Sequence, residues 1–125
     1  IYFIFDIQFL LKKVYNHFFN INIGFITMDI REENTDTKLI AHIEGEIDLE
    51  KTDDLREKIA VIIDNHKSIE LNLTKVTYID SSGVAVLIES NQKAQELDKE
   101  LTLNLSEAVL SVLKMAKLES FFKMA

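Results

Sequence analysis

The 125-residue sequence contains no cysteine and no proline, and only three glycines. Without cysteine there is neither a disulfide framework nor a thiolate metal site. The three histidines, His17, His42 and His66, are too scattered to form a zinc site by spacing. Each reads as a surface or loop residue, so no metal and no cofactor is expected. Three glycines do not build a phosphate-cradling P-loop, and no such motif is present. The lack of proline removes a usual loop marker, so boundaries rest on periodicity and caps. Positive charge is also short: 14 Lys and Arg stand against 21 Asp and Glu, a formal net charge of −7. That argues against nucleic acid as the main partner, because phosphate neutralisation needs clustered cations. It argues equally against an anionic membrane surface. No apolar run reaches the roughly 18 to 20 residues of a spanning helix, so no membrane insertion is expected.

What is present is enough for one domain with a real core. Hydrophobic residues make up 47% and charged residues 28% of the chain. The first 27 residues differ from the rest. All but Asp6, Gln8, Val14, His17, Gly24 and Thr27 are amino acids that codons made only of A and T can encode. Residues 1–27 are therefore read as a non-domain segment, translated upstream sequence, with Met28 as the native start. The rival reading is an amphipathic segment in which Phe3, Leu10, Leu11, Val14 and Phe18 share a face and Lys12 and Lys13 approach a membrane. A signal peptide fits poorly, because the lysines follow the apolar run and no small-residue cleavage site appears.

From Met28 the patterning is orderly. Met28 to Glu33 is a short candidate strand. In Lys38 to Ile47, Leu39, Ala41 and Ile43 alternate with Ile40, His42 and Glu44, which predicts a strand with one better-buried face. Gly45 marks a bulge or strand end. Leu55, Ile59, Ile62 and Ile63 follow helical spacing in Thr52 to Asn65, with Thr52 as the predicted N-cap and Asp53 and Asp54 at the positive end of the dipole. Ser68 to Ile79 alternates again. A helix is predicted from about Val84 to Leu97, on a stripe of Val84, Leu87, Ile88, Ala94 and Leu97. Leu101, Leu103 and Leu105 mark a further strand. Ser106 then caps a last helix, striped by Val109, Val112 and Leu113 and extended by Met115 and Ala116. The order is β-β-α-β-α-β-α, an α/β sheet with crossover connections.

One segment could carry chemistry: Asp80-Ser81-Ser82-Gly83, between a predicted strand and helix. Backbone N–H groups at a helix start are unpaired, and the dipole is positive there. A phosphate on a hydroxyl at that place could accept those N–H bonds without unfolding the helix. Gly83 lets another backbone approach closely. The plainer reading makes Asp80, Ser81 or Ser82 simply the N-cap, worth about 1 kcal/mol, and local chemistry alone favours it. Catalysis is poorly supported. Ser81 has no recognisable histidine base and no G-x-S-x-G elbow.

The segments Gly45-Glu46-Ile47-Asp48, Thr52-Asp53-Asp54-Leu55-Arg56, Ile69-Glu70-Leu71-Asn72-Leu73 and Ile79-Asp80-Ser81-Ser82-Gly83 occur in the order and spacing of STAS domains. Asp80 follows Asp48 by about 32 residues, which makes the match specific where a lone D-S-S-G is not. From Met28 to the C-terminus the chain resembles bacterial anti-sigma factor antagonists. The resemblance implies a mixed β-sheet packed with helices. It implies a cytoplasmic, non-enzymatic switch with Ser81 as phosphate acceptor. The unphosphorylated form would bind an anti-sigma factor, often itself a serine kinase, and free a sigma factor. Phosphorylation would release that partner, and a serine phosphatase would reset the switch. ATP would belong to the kinase. Asp48 and Asp80 would flank the acceptor, and Ser82 and Gly83 would shape the contact surface.

Two departures stand out. Many antagonists carry a second glycine where this chain has Ala85, and a methyl group there narrows a kinase's approach. The family also continues with a final short strand and helix after the point where Phe121-Phe122 nears Ala125, so truncation at the C-terminus is expected. STAS domains also serve lipid-transport ABC permeases as partners and sulfate-type anion transporters as tails. A subunit or tail of a membrane transport complex is thus the alternative function.

Overall fold

The computed structural model describes residues 28–125. The expectations for residues 1–27 lie outside the described residues. Strands β1 (Asp29–Asn34) and β2 (Leu39–Ile47) are followed by α1 (Thr52–Asn65), β3 (Ser68–Ile79), α2 (Ser81–Glu96), β4 (Glu100–Leu105) and α3 (Glu107–Met115). This is the β-β-α-β-α-β-α order that periodicity predicts. A 3-10 turn, Glu119–Phe121, follows.

The sheet runs β1-β2-β3-β4. The β1–β2 pair is antiparallel, closed by a short turn in which Thr35 and Lys38 exchange hydrogen bonds. The β2–β3 and β3–β4 pairs are parallel, because α1 and α2 carry the chain back to the same end of the sheet. At the chain's end, Met124 bridges to Leu103 in parallel on the free edge of β4.

Alternation decides what is buried. Leu39, Ala41 and Ile43 on β2, Ile69, Leu71 and Leu73 on β3, and Leu101 and Leu103 on β4 point to one face. There they meet Leu55, Ile59 and Ile63 of α1, Val86 and Leu87 of α2, and Val109 and Leu113 of α3 in one cluster. The other face is polar: Lys38 reaches Glu70 at 2.5 Å and His42 meets Glu33 at 2.7 Å.

The extra residues of the bulge lie on β3, not β2; Gly45 sits opposite them, inside β2 rather than at its end. Its φ is 100°, a conformation that suits glycine. The pairing register shifts on both sides of it, between His42 and Glu44 and between Gly45 and Glu46. The result is that Ile47 pairs with Ile79, with both side chains inward. The loop after β2 and the junction after β3 therefore leave the sheet side by side, at the carboxyl ends of parallel strands.

Several boundaries differ from the sequence reading. Thr52 is the first helical residue and not the cap; Lys51 occupies that position without a side-chain bond. The Thr52 hydroxyl donates to the Leu49 carbonyl at 3.0 Å, and a hydroxyl turned that way does not cap α1. Helix α2 starts three residues before the predicted Val84, because Asp80 caps it. Leu97 is its C-cap and is exposed. Met115 and Ala116 do not extend the buried stripe of α3; they sit at its end in solvent.

Candidate functional site

The site grows from the point where β3 gives way to α2. Ile79 is the last strand residue and is buried against the core. Asp80 then turns the chain with extended backbone and becomes the N-cap of α2. Its main-chain N–H donates to the Ile47 carbonyl at 3.1 Å, which fixes the junction to the end of β2. Its Oδ1 accepts the Gly83 N–H at 3.1 Å and the Ser82 hydroxyl at 2.5 Å. Its Oδ2 accepts the Leu49 N–H at 3.1 Å. One carboxylate thus caps a helix and anchors a loop that lies 31 residues earlier.

The electrostatics follow from these donors. The Ser82 hydroxyl, aided by the Gly83 and Leu49 N–H groups, holds the Asp80 carboxyl below the usual carboxylate range. Partial burial opposes this and is overcome. Asp80 is therefore a fixed negative charge at neutral pH.

The two serines part company here. The Ser82 hydroxyl is half-buried and committed to Asp80. Ser81, the first residue of α2, is exposed. Asp48 lies across the site in the β2–α1 loop, where its Oδ1 accepts the Glu50 N–H at 3.1 Å. The Lys51 ammonium stands 3.7 Å from its other oxygen. Asp80, Ser82 and Gly83 are directly bonded, and Asp48 adjoins them through Leu49.

Gly83 serves a different need from the one its sequence context suggests. It is buried, and the groups that crowd it are side chains of this chain, not an approaching backbone. A Cβ there would stand 2.6 Å from Ile79 Cγ1 and 2.7 Å from Ile47 Cγ2. The missing side chain lets the first turn of α2 sit on the strand ends.

Sequence reasoning missed Leu49 and Tyr78. Leu49 is 73% exposed and Tyr78 50% exposed, both at this end of the molecule. The available signal was one apolar residue in the otherwise charged run Asp48-Leu49-Glu50-Lys51.

Elsewhere, a shallow groove of about 390 Å³ between β1 and α1 is lined by Ile30, Glu32, Asp54, Glu57, Lys58, Val61 and Ile62, none of them a site residue. Among the described residues, no cluster of three or more His, Cys, Asp or Glu is placed to hold a metal ion. Among them, too, no helix is long and apolar enough to cross a membrane.

The comparisons with known proteins bear on the fold and the family. The anti-sigma-B factor antagonist of Bacillus subtilis (strain 168) is 29% identical over 86 residues, which cover 68% of this chain and 77% of that one. The crystal structure of an anti-sigma factor antagonist from Mycobacterium paratuberculosis superposes with a TM-score of 0.70 at 20% identity, covering 78% of this chain and 85% of the other. The Bacillus cell fate determinant SpoIIAA in its phosphorylated form gives a TM-score of 0.60 at 20% identity, covering 79% and 91%. These structural likenesses speak for the fold. The STAS domain family model matches residues 27–125, and the chain belongs to the STAS domain family.

Proposed function

We propose that this chain is an anti-sigma factor antagonist, a cytoplasmic protein-interaction switch without catalytic activity of its own. In its unphosphorylated form it binds an anti-sigma factor with serine kinase activity. Phosphorylation of Ser81 releases that partner, and a serine phosphatase restores the hydroxyl.

The observation that carries this reading is the unequal state of the two serines. Ser82 is held by Asp80, whereas Ser81 stands exposed at the first position of α2. A phosphate on Ser81 would lie near the helix N-terminus, where the dipole favours negative charge. The fold would tolerate it. A docked partner would not, because about −1.5 to −2 charges would arrive beside Asp80 on a desolvated surface. A structural neighbour solved in its phosphorylated form supports a modification of this kind.

The test is a pull-down from source cells with the full chain, as Ser81 and as Ser81→Asp, with the captured proteins identified by mass spectrometry. The expected result is an anti-sigma factor on the Ser81 form and its loss with Ser81→Asp. That factor with ATP should then label Ser81 and leave Ser81→Ala unlabelled. Recovery of permease subunits by both forms would overturn the switch and make Ser81 only the first residue of a helix.

A further inference from the structure

Exposed apolar side chains at the Ser81 end of the molecule need an explanation. Leu49 is more exposed than most apolar residues here, at 73%, and it stands in the short loop Asp48–Lys51. That loop is closely held. Leu49 N–H donates to Asp80 Oδ2, Glu50 N–H to Asp48 Oδ1, and Lys51 N–H to the Asp48 carbonyl, all at 3.0–3.1 Å. The Leu49 carbonyl accepts the Thr52 hydroxyl. A slack loop would let a leucine fold back onto the surface. This one fixes the backbone that carries it, so little backbone freedom remains to be lost when a partner covers it.

Tyr78 belongs to the same end. It pairs in register with Glu46, and the next pair along, Ile47 with Ile79, is buried in the core. The carboxylates of Asp48, Glu50 and Asp80 belong to the loop and junction that hold Leu49, and Glu46 is the cross-strand partner of Tyr78. The nearby cation, Lys51, is turned inward, onto Asp48 and the Glu46 carbonyl. An apolar centre inside an acidic rim fits an apolar pocket bordered by lysine or arginine.

We propose that Leu49, exposed on a loop that Asp80 pins, is the apolar anchor by which this chain docks into a cation-rimmed pocket on its anti-sigma factor. This rests on the antagonist reading above. Leu49 supplies residence time, and the acidic rim supplies encounter rate.

The test uses the anti-sigma factor recovered by the full chain, purified and measured by stopped-flow and calorimetry. Leu49→Ala should weaken binding about 10- to 50-fold, chiefly through faster dissociation. Its melting temperature should match the parent, since the side chain is mostly in solvent. Leu97→Ala removes another exposed leucine, at the far end of α2, and should bind like the parent. Glu50→Gln should slow association and flatten its salt dependence. Parent-like binding by Leu49→Ala, alongside a parent chain that binds well, overturns the anchor alone. A parent chain that binds no anti-sigma factor overturns the antagonist reading and the anchor with it.

Discussion

The two oxygens of Asp80 answer donors from different parts of the fold. Oδ1 serves the first turn of α2, and Oδ2 serves the loop before α1. Because these bonds go to the charged form, the folded carboxyl titrates below its ordinary value of 3.8. The sign of the pH effect follows. Stability from Asp80 is fully present above the unfolded value and is lost as pH falls through the depressed folded value. Asp80→Ala should therefore cost about 1–2 kcal/mol at pH 7, the range of a lost cap and a lost charge-assisted bond. Below the ordinary value the gap between variant and parent should shrink. Urea denaturation at neutral and acid pH measures both, and an equal gap at the two would contradict the assignment. The resemblance names Ser81 as the expected acceptor in Asp80-Ser81-Ser82-Gly83, but local chemistry leaves open which of Asp80, Ser81 and Ser82 is the N-cap. That choice depends on where each side chain points, and a neighbour 31 residues away helps to decide it. Leu49 escaped notice for a related reason. An exposed leucine gains meaning only when the backbone that presents it is seen to be pinned.

Among the elements, the β2–β3 pair does the most to assemble the site, and Gly45 lies where its register shifts. Strand β3 carries the extra residues where the register shifts on either side of Gly45, and without them Ile47 would not come opposite Ile79. A Cβ at φ 100° is strained, so Gly45→Ala should destabilise the domain by about 1–2 kcal/mol. Thermal and denaturant unfolding would show this. A variant as stable as the parent would mean that this position tolerates a side chain despite its backbone conformation. Gly45 was legible as an interruption of the alternation Leu39, Ala41, Ile43. Strands and helices generally were legible, because one buried face imposes its period on the sequence. Helix ends were not. The stripe that begins at Val84 says where α2 meets the core, yet the cap at Asp80 sets where it starts. Likewise Met115 and Ala116 continue a helical spacing past the point where α3 still has a core to cover.

At the scale of the whole molecule, the proposed acceptor stands apart from the stable core. The apolar cluster lies between the sheet and the three described helices. Ser81 stands outside it, exposed, on a helix whose first turn Asp80 and Gly83 already fix. A switch placed there works by altering surface charge and leaves the packing alone. The chain begins at a net charge of −7, and a phosphate would add about −1.5 to −2 more in one place. Two local effects on stability oppose each other. The α2 dipole favours an anion at its first position by about 0.3–1 kcal/mol. The neighbouring Asp80 carboxylate repels it, through an exposed side chain that salt and water screen. Ser81→Asp should therefore unfold within about 0.5 kcal/mol of the parent, the scatter of ordinary surface substitutions. The same variant should lose its partner. Equilibrium denaturation and binding measured on one preparation would separate the two quantities. Loss of binding at unchanged stability is the mark of a surface switch. A fall in stability that tracks the loss of binding would show instead that negative charge at Ser81 acts by loosening α2.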